Sequence, residues 1–327
     1  MKNFCDFSKV ELADWCQEQD LPAFNAKQLQ EWVYHKMVLD WDSMSNLSKA
    51  NRLRFKEAFQ LPALSSAEVP PEGKQAEFLW KLFDDKTVSS QFIQGKGQKT
   101  AYISTQVGTP VHYAFLAGNP VFYRNLRPGE IVEQVLQLNK WLLPRSEKIT
   151  AVTFSAGGEP LKNYEPCLKA IHMFLDRELF GISPKRIELN TVGIIDGIEN
   201  LIRDAVTANL TVGLHAPNQK LRQSLIPYAK KYPLEDLLEV IGSYWKKTKA
   251  EIVYEYALLE GVNDHPDQAL ELAHLLKGSK AAVRLLLLPS VKGGKFRPPQ
   301  KKAIKQFRSV LFGSKILNDL EERETIE

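Results

Sequence analysis

Cysteine is scarce in this 327-residue chain: Cys5, Cys16 and Cys167 are its only three, far apart and without a C-x-x-C pair. Such a set writes neither a disulfide framework nor a cysteine metal cage. Long apolar runs are missing too, since none approaches the roughly 18 residues that a membrane span needs. Residues 1–15 interrupt their apolar positions with Lys2, Asp6, Lys9 and Glu11 and offer no small-residue cleavage site, so a cytoplasmic protein is expected. Acidic residues vanish from one stretch. Residues 272–318 hold 11 Lys or Arg and no Asp or Glu, where average usage would place about six acids. The net charge is only +4, so any attraction for a polyanion is local to this stretch.

What is present is ordinary for a globular protein, with 44% hydrophobic and 25% charged residues. The length exceeds what one core organises, which predicts a main domain with a smaller appendage. Residues 1–60 read as helical: Ala26, Leu29, Trp32 and Val33 recur at helical spacing, and a polar second helix starts near Ser48. Pro62, Pro70, Pro71 and Gly73 mark a linker, and residues 77–82 and 87–93 alternate around Asp84-Asp85-Lys86 as a hairpin. Residues 61–99 are thus a connector.

From residue 100 onward, strand-like runs alternate with helical stretches. Strands are predicted over 101–107, 149–154, 186–190, 210–214, 251–258 and 282–288. Helices are predicted over 130–143, 167–179, 198–204, 233–246, 268–276 and 299–312. Repeated strand-then-helix order implies parallel strands with right-handed crossovers, hence an α/β fold, either a partial β/α barrel or an open doubly wound sheet. This part spans residues 100–318, and residues 319–327 read as an acidic tail.

In either fold a site belongs at the carboxyl ends of the strands. Ser155-Ala156-Gly157-Gly158-Glu159-Pro160 follows a strand there. Its glycines let a ligand approach the backbone, and its carboxylate can accept from an ammonium group. Alone, the segment reads equally as a glycine turn with a solvated glutamate. Asn190-Thr191-Val192-Gly193 and Gly213-Leu214-His215-Ala216-Pro217-Asn218 end two further strands.

Together these segments resemble the radical S-adenosylmethionine (SAM) adenine methyltransferases of ribosomal and transfer RNA, the RlmN and Cfr family. The resemblance runs almost end to end. It includes Phe24-Asn25-Ala26-Lys27-Gln28, Trp32-Val33-Tyr34-His35, Gln106-Val107-Gly108, Arg124-Asn125-Leu126, Gly158-Glu159-Pro160-Leu161, Ile226-Pro227 and Val262-Asn263-Asp264. It implies a partial β/α barrel, a helical N-terminal domain of RNA-binding type, SAM as cofactor, and structured ribosomal or transfer RNA as partner. Gly158, Glu159, Asn190, Gly213, Leu214 and His215 match its SAM-contacting positions, with Asn190 where serine is common. A histidine such as His215 is equally well explained as a buried residue bonded to backbone.

The departures from the family bear on its chemistry. There, Gln-Val-Gly is followed by C-x-x-x-C-x-x-C, whose thiolates hold an iron-sulfur cluster; here the register reads Thr109, Tyr113 and Leu116. Two further cysteines of the family, which carry the methyl group and resolve the covalent protein-RNA intermediate, are missing, with Tyr102 at the first position and no cysteine after Phe312; its hairpin glutamate is Ser89 and its adenine-side asparagine is Val291. The expectation is a divergent member that binds RNA, holds SAM weakly, carries no cluster and lacks radical methylation. A working methyltransferase of non-standard mechanism is the alternative. Lys292, Lys295, Arg297, Lys301, Lys305 and Arg308 are the candidate phosphate contacts, although a helix face bearing such charges is also an ordinary solvated surface. A monomer is expected.

Overall fold

The computed structural model describes residues 1–66, 69–71, 73–95, 97–111, 113, 115, 121–289 and 296–322. The chain divides into two compact units, Met1–Gly108 with Phe122–Ile187, and Thr109–Val121 with Glu188–Glu327.

The first unit opens with the helical appendage. Strand β1 (Lys2–Asn3) leads into α1 (Lys9–Glu18), where Ser8 accepts from the Glu11 N–H at 3.3 Å and Glu11 reaches back to the Ser8 N–H. That reciprocal cap satisfies two otherwise orphaned donors. Helix α2 (Phe24–Gln30) buries Ala26 and Leu29, and its wider continuation through His35 buries Val33. Ser48 caps α3 (Lys49–Ala58), and β2 (Phe59–Gln60) pairs in parallel with β1. Phe4, Trp15, Phe55 and Phe59 make the appendage's aromatic core, with Trp15 edge-on to Phe59 at 4.7 Å.

Next come β3 (Ser65–Ser66) and the expected hairpin, β4 (Gln75–Lys81) with β5 (Thr87–Gly95). Strand β6 (Gln98–Ser104) lies antiparallel to β5 and parallel to β9 (Ala151–Gly157), giving the order β3-β4-β5-β6-β9. The single strand predicted over 101–107 is in fact two pieces. The Thr105 N–H donates to the Gly157 carbonyl at 2.7 Å and its carbonyl accepts from Leu126 at 3.1 Å. The chain therefore leaves the ladder, and β7 (Gln106–Gly108) pairs with β8 (Phe122–Asn125). Helix α4 (Pro128–Leu142) has proline at its start, and Asp6 of the appendage accepts from its Gly129 N–H at 2.7 Å, a carboxylate at a helix N-terminus. Helix α5 (Tyr164–Leu175) follows β9.

The second unit carries five parallel strands in sequence order: β10 (Ile187–Thr191), β11 (Asn209–Gly213), β12 (Ile252–Ala257), β13 (Ala282–Leu287) and β14 (Asn318–Glu322). The crossovers are α6 (Ile195–Arg203), α7 (Gln219–Leu225) with α8 (Leu234–Thr248), α9 (Pro266–Leu275) and α10 (Lys301–Gly313). Two features differ from expectation. Helix α7, capped by Asn218 on the Leu221 N–H at 2.9 Å, is short and polar and gave no apolar stripe to read. Residues 319–322, expected to begin an acidic tail, lie in strand β14. Asp319 and Glu321 turn toward Arg284 at 3.9 and 3.5 Å while Leu320 alternates between them, so this is a strand with its charges partly compensated. Residues 323–327 lie outside the described residues. Among the described residues no helix is long and apolar enough to cross a membrane.

Candidate cofactor and RNA sites

The first unit places Gly158 and Glu159 directly after β9. Gly158 has φ +87°, and a Cβ there would meet the Gln106 Cβ at 2.6 Å and the Gln106 backbone nitrogen at 2.8 Å. Only glycine fits that turn. Gln106 is its frame: the Gln106 amide oxygen accepts from the Glu159 N–H at 2.8 Å, and its amide nitrogen donates to Asn125 at 2.8 Å. Asn163 adds donations to the carbonyls of Thr105 and Leu126 at 2.8 and 2.9 Å. Glu159 is 3% exposed, and one of its oxygens accepts from the Leu161 N–H at 3.1 Å. A carboxylate held this firmly, in little water, is suited to an ammonium group. Gln106 and Asn125 were visible in the sequence only as parts of longer family matches, and Asn163 was not singled out at all; nothing in their spacing told their role.

The second unit gathers the other four residues of the expected SAM set. Asn190, near the end of β10, donates to Glu255 of β12 at 3.3 Å. Leu214 is fully buried. His215 is 3% exposed and adopts φ +57°, and its Nδ1 accepts from the Ala257 N–H at 3.0 Å, which places the ring proton on Nε2. Asn263 fixes the loop, donating to the carbonyls of His215 and Ala257 at 2.8 and 2.7 Å. Across the same strands, Arg284 lies 3.6 Å from Glu255 and 3.9 Å from Glu188, whose carboxyl is pushed up by burial and drawn back by that cation.

The loop at the cluster register belongs to this second unit. The Thr109 hydroxyl turns back on its own segment and accepts from the Val111 N–H at 3.1 Å. Tyr113 and Phe115 set their rings edge-on against His215, with centroids 5.4 and 5.0 Å away. The Tyr113 hydroxyl stands 3.0 Å from where a Cβ on Gly213 would lie, so a side chain at position 213 and this tyrosine compete for one space. His112 and Leu116 lie outside the described residues. Among those described, no group of three His, Cys, Asp or Glu side chains is placed to hold a metal. All three cysteines are buried, and burial raises their thiols, Cys16 to about 11. Thiolate, the form that ligates iron, is disfavoured at each.

Of the expected RNA contacts, Lys292 and Lys295 lie outside the described residues, as does Val291. Arg297 is exposed, and its carbonyl accepts from the Glu260 N–H at 2.9 Å. Lys301, Lys305 and Arg308 share one exposed face of α10.

Residues 2–61 match the family model described as the ribosomal RNA large subunit methyltransferase N-terminal domain. The chain is 45% identical over 319 residues to the probable dual-specificity RNA methyltransferase RlmN 2 of Protochlamydia amoebophila, covering 97% of this chain and 89% of that one. The chain belongs to the RlmN family. A second member, from Fervidobacterium nodosum, is 38% identical over 98% of this chain and 92% of its own length. The crystal structure of a radical SAM methyltransferase from Sphaerobacter thermophilus is similar over 99% of this chain and 96% of that one, with a TM-score of 0.92 at 28% identity. That likeness bears out the α/β reading, a partial β/α barrel with a helical N-terminal region.

Proposed function

We propose that this RlmN-family chain binds structured RNA and, weakly, SAM, and that it does not perform radical methylation of adenine. The observation that carries this reading is the packing of Tyr113 and Phe115 on His215, in the loop where the family's thiolates fall. A phenol ring, a threonine hydroxyl spent on its own backbone and a leucine make no cluster site. No cluster is expected, and with it goes the iron that would chelate the amino acid end of SAM. Tyr102 and Ser89 stand where the family keeps a cysteine and a glutamate. Family membership supports RNA, ribosomal or transfer, as the partner, with residues 1–60 as an RNA-binding domain and the barrel running from residue 100 through β14. The chain is read as a cytoplasmic monomer.

The residues assigned to SAM are Gly158 and Glu159 in one unit and Asn190, Gly213, Leu214 and His215 in the other. What remains for the cofactor is the Glu159 carboxylate and a few hydrogen-bonding groups, without metal chelation, so affinity is low. Isothermal titration of the full chain with SAM is expected to give weak binding that Glu159→Ala abolishes. Binding unaffected by that substitution contradicts the assignment. The RNA reading is tested separately, by salt-dependent binding to a structured RNA. Affinity that does not fall with salt would exclude phosphate contact by the basic residues.

A further inference from the structure

A groove of about 1480 Å³ lies between α10 and the edge of the sheet in the second unit. Pockets for small cofactors run to roughly 300–1,000 Å³, so this one suits a chain rather than a compact molecule. Its floor is aliphatic, from Leu287 of β13, Ile304 of α10 and Leu320 of β14. At one end Phe312 and Leu317 are 79% and 76% exposed, large apolar side chains left facing water. Lys301, Lys305 and Arg308 follow one another at i, i+4 and i+7 along the rim, about 6 Å apart. Lys315 adds a fourth cation, and the described lining includes no carboxylate. None of the four forms an ion pair among the described residues, Arg308 donating only to the neutral Asn318 at 3.2 Å. By contrast Lys27 of the appendage pairs with Glu178, Lys36 with Glu31, and Arg52 and Arg54 donate to backbone carbonyls.

We propose that this groove takes an unpaired strand of RNA a few nucleotides long, an inference that rests on the RNA function proposed above and specifies its form. Four cations that have neither an ion pair nor a lining acid among the described residues complement a phosphate backbone. A duplex presents only phosphates and sugars to such a surface and leaves the apolar floor wet. An unpaired strand can turn its bases onto apolar and aromatic side chains. Among the described residues β14 is paired on one side only, which leaves an edge of backbone donors and acceptors for base edges, and it contributes Asn318 and Leu320 to the groove.

The test compares a fluorescein-labelled, unstructured eight-nucleotide RNA with a hairpin duplex of the same composition, by anisotropy on the full-length protein. The unpaired RNA is expected to bind more tightly. Phe312→Ser with Leu317→Ser, both at exposed positions that leave the melting temperature unchanged, should weaken it about tenfold at constant salt slope, since base contacts release no counterions. Lys301→Glu, Lys305→Glu and Arg308→Glu together should flatten the slope by about two units, at roughly 0.7 per phosphate on a single strand. Equal affinity for the duplex, or an unaltered Phe312/Leu317 double variant, overturns the inference while leaving RNA binding in place. Failure to bind either RNA overturns the RNA function itself. An acidic amphipathic peptide that displaces the bound RNA and loses affinity in the Phe312/Leu317 variant overturns it in favour of a protein partner.

Discussion

Glu133→Gln is expected to raise the melting temperature by several degrees at pH 8 and to leave it nearly unchanged near pH 4. Glu133 lies on α4, 2% exposed, where one oxygen accepts from the Leu64 N–H at 2.5 Å and the other from the Asn3 side chain at 3.4 Å. It joins the appendage and the linker to the first unit. Burial pushes its carboxyl up to about 7, against the pull of donors from Leu64, Asn3, Ala63 and Gln137, and Cys5 and Tyr34 beside it add no cation. Because the folded value is raised, the native state keeps its proton after the unfolded chain has lost it. Stability is therefore full below the unfolded value near 4.5, declines as pH rises toward 7, and stays reduced above it, by at most about 3 kcal/mol. Glutamine keeps the acceptor for Leu64 and never ionises. Thermal melts of both proteins from pH 4 to pH 8 decide the matter, and a variant destabilised equally at all pH values would show that the carboxylate, not its titration, matters.

Gly158→Ala should act in the opposite direction and at every pH. The left-handed φ of +87° costs an L-residue about 1–2 kcal/mol, and the added methyl, 2.6 Å from the Gln106 side chain, must displace the frame that seats Glu159. A loss exceeding about 2 kcal/mol of stability is expected, with loss of the SAM binding proposed for Glu159. Denaturant titration checks the first part and calorimetry the second. A variant with wild-type stability and SAM affinity would mean that the Gly158 turn is not the rigid seat described above.

Much of this architecture was legible in the residues. The helix start near Ser48, the hairpin around Asp84-Asp85-Lys86 and the parallel strands follow from local chemistry, alternation and apolar runs, whereas the Ser8 cap of α1 was not read. The illegible parts share a physical cause: their conformation is set by distant partners. Thr105 breaks a continuous apolar run because Gly157 and Leu126 take its hydrogen bonds. Asp319 and Glu321 look like a solvated tail until Arg284, 35 and 37 positions earlier, is seen to face them. That residues 109, 113 and 116 are Thr, Tyr and Leu rather than cysteine was plain, whereas the contact of Tyr113 and Phe115 with His215, and the space that Tyr113 shares with position 213, required coordinates. The cations of α10 were equally plain in sequence. Their apolar floor was not, since Leu287, Ile304 and Leu320 come from three elements and two of them sit on strands.

The central claim, that this family member has exchanged its cluster site for an aromatic contact, is tested most directly by iron and acid-labile sulfide analysis after anaerobic reconstitution. A relative that retains C-x-x-x-C-x-x-C, treated in parallel, serves as the control. The account predicts substoichiometric iron and sulfide and a featureless visible spectrum. Stoichiometric iron and sulfide, with a broad visible absorption that bleaches on addition of dithionite, would contradict it.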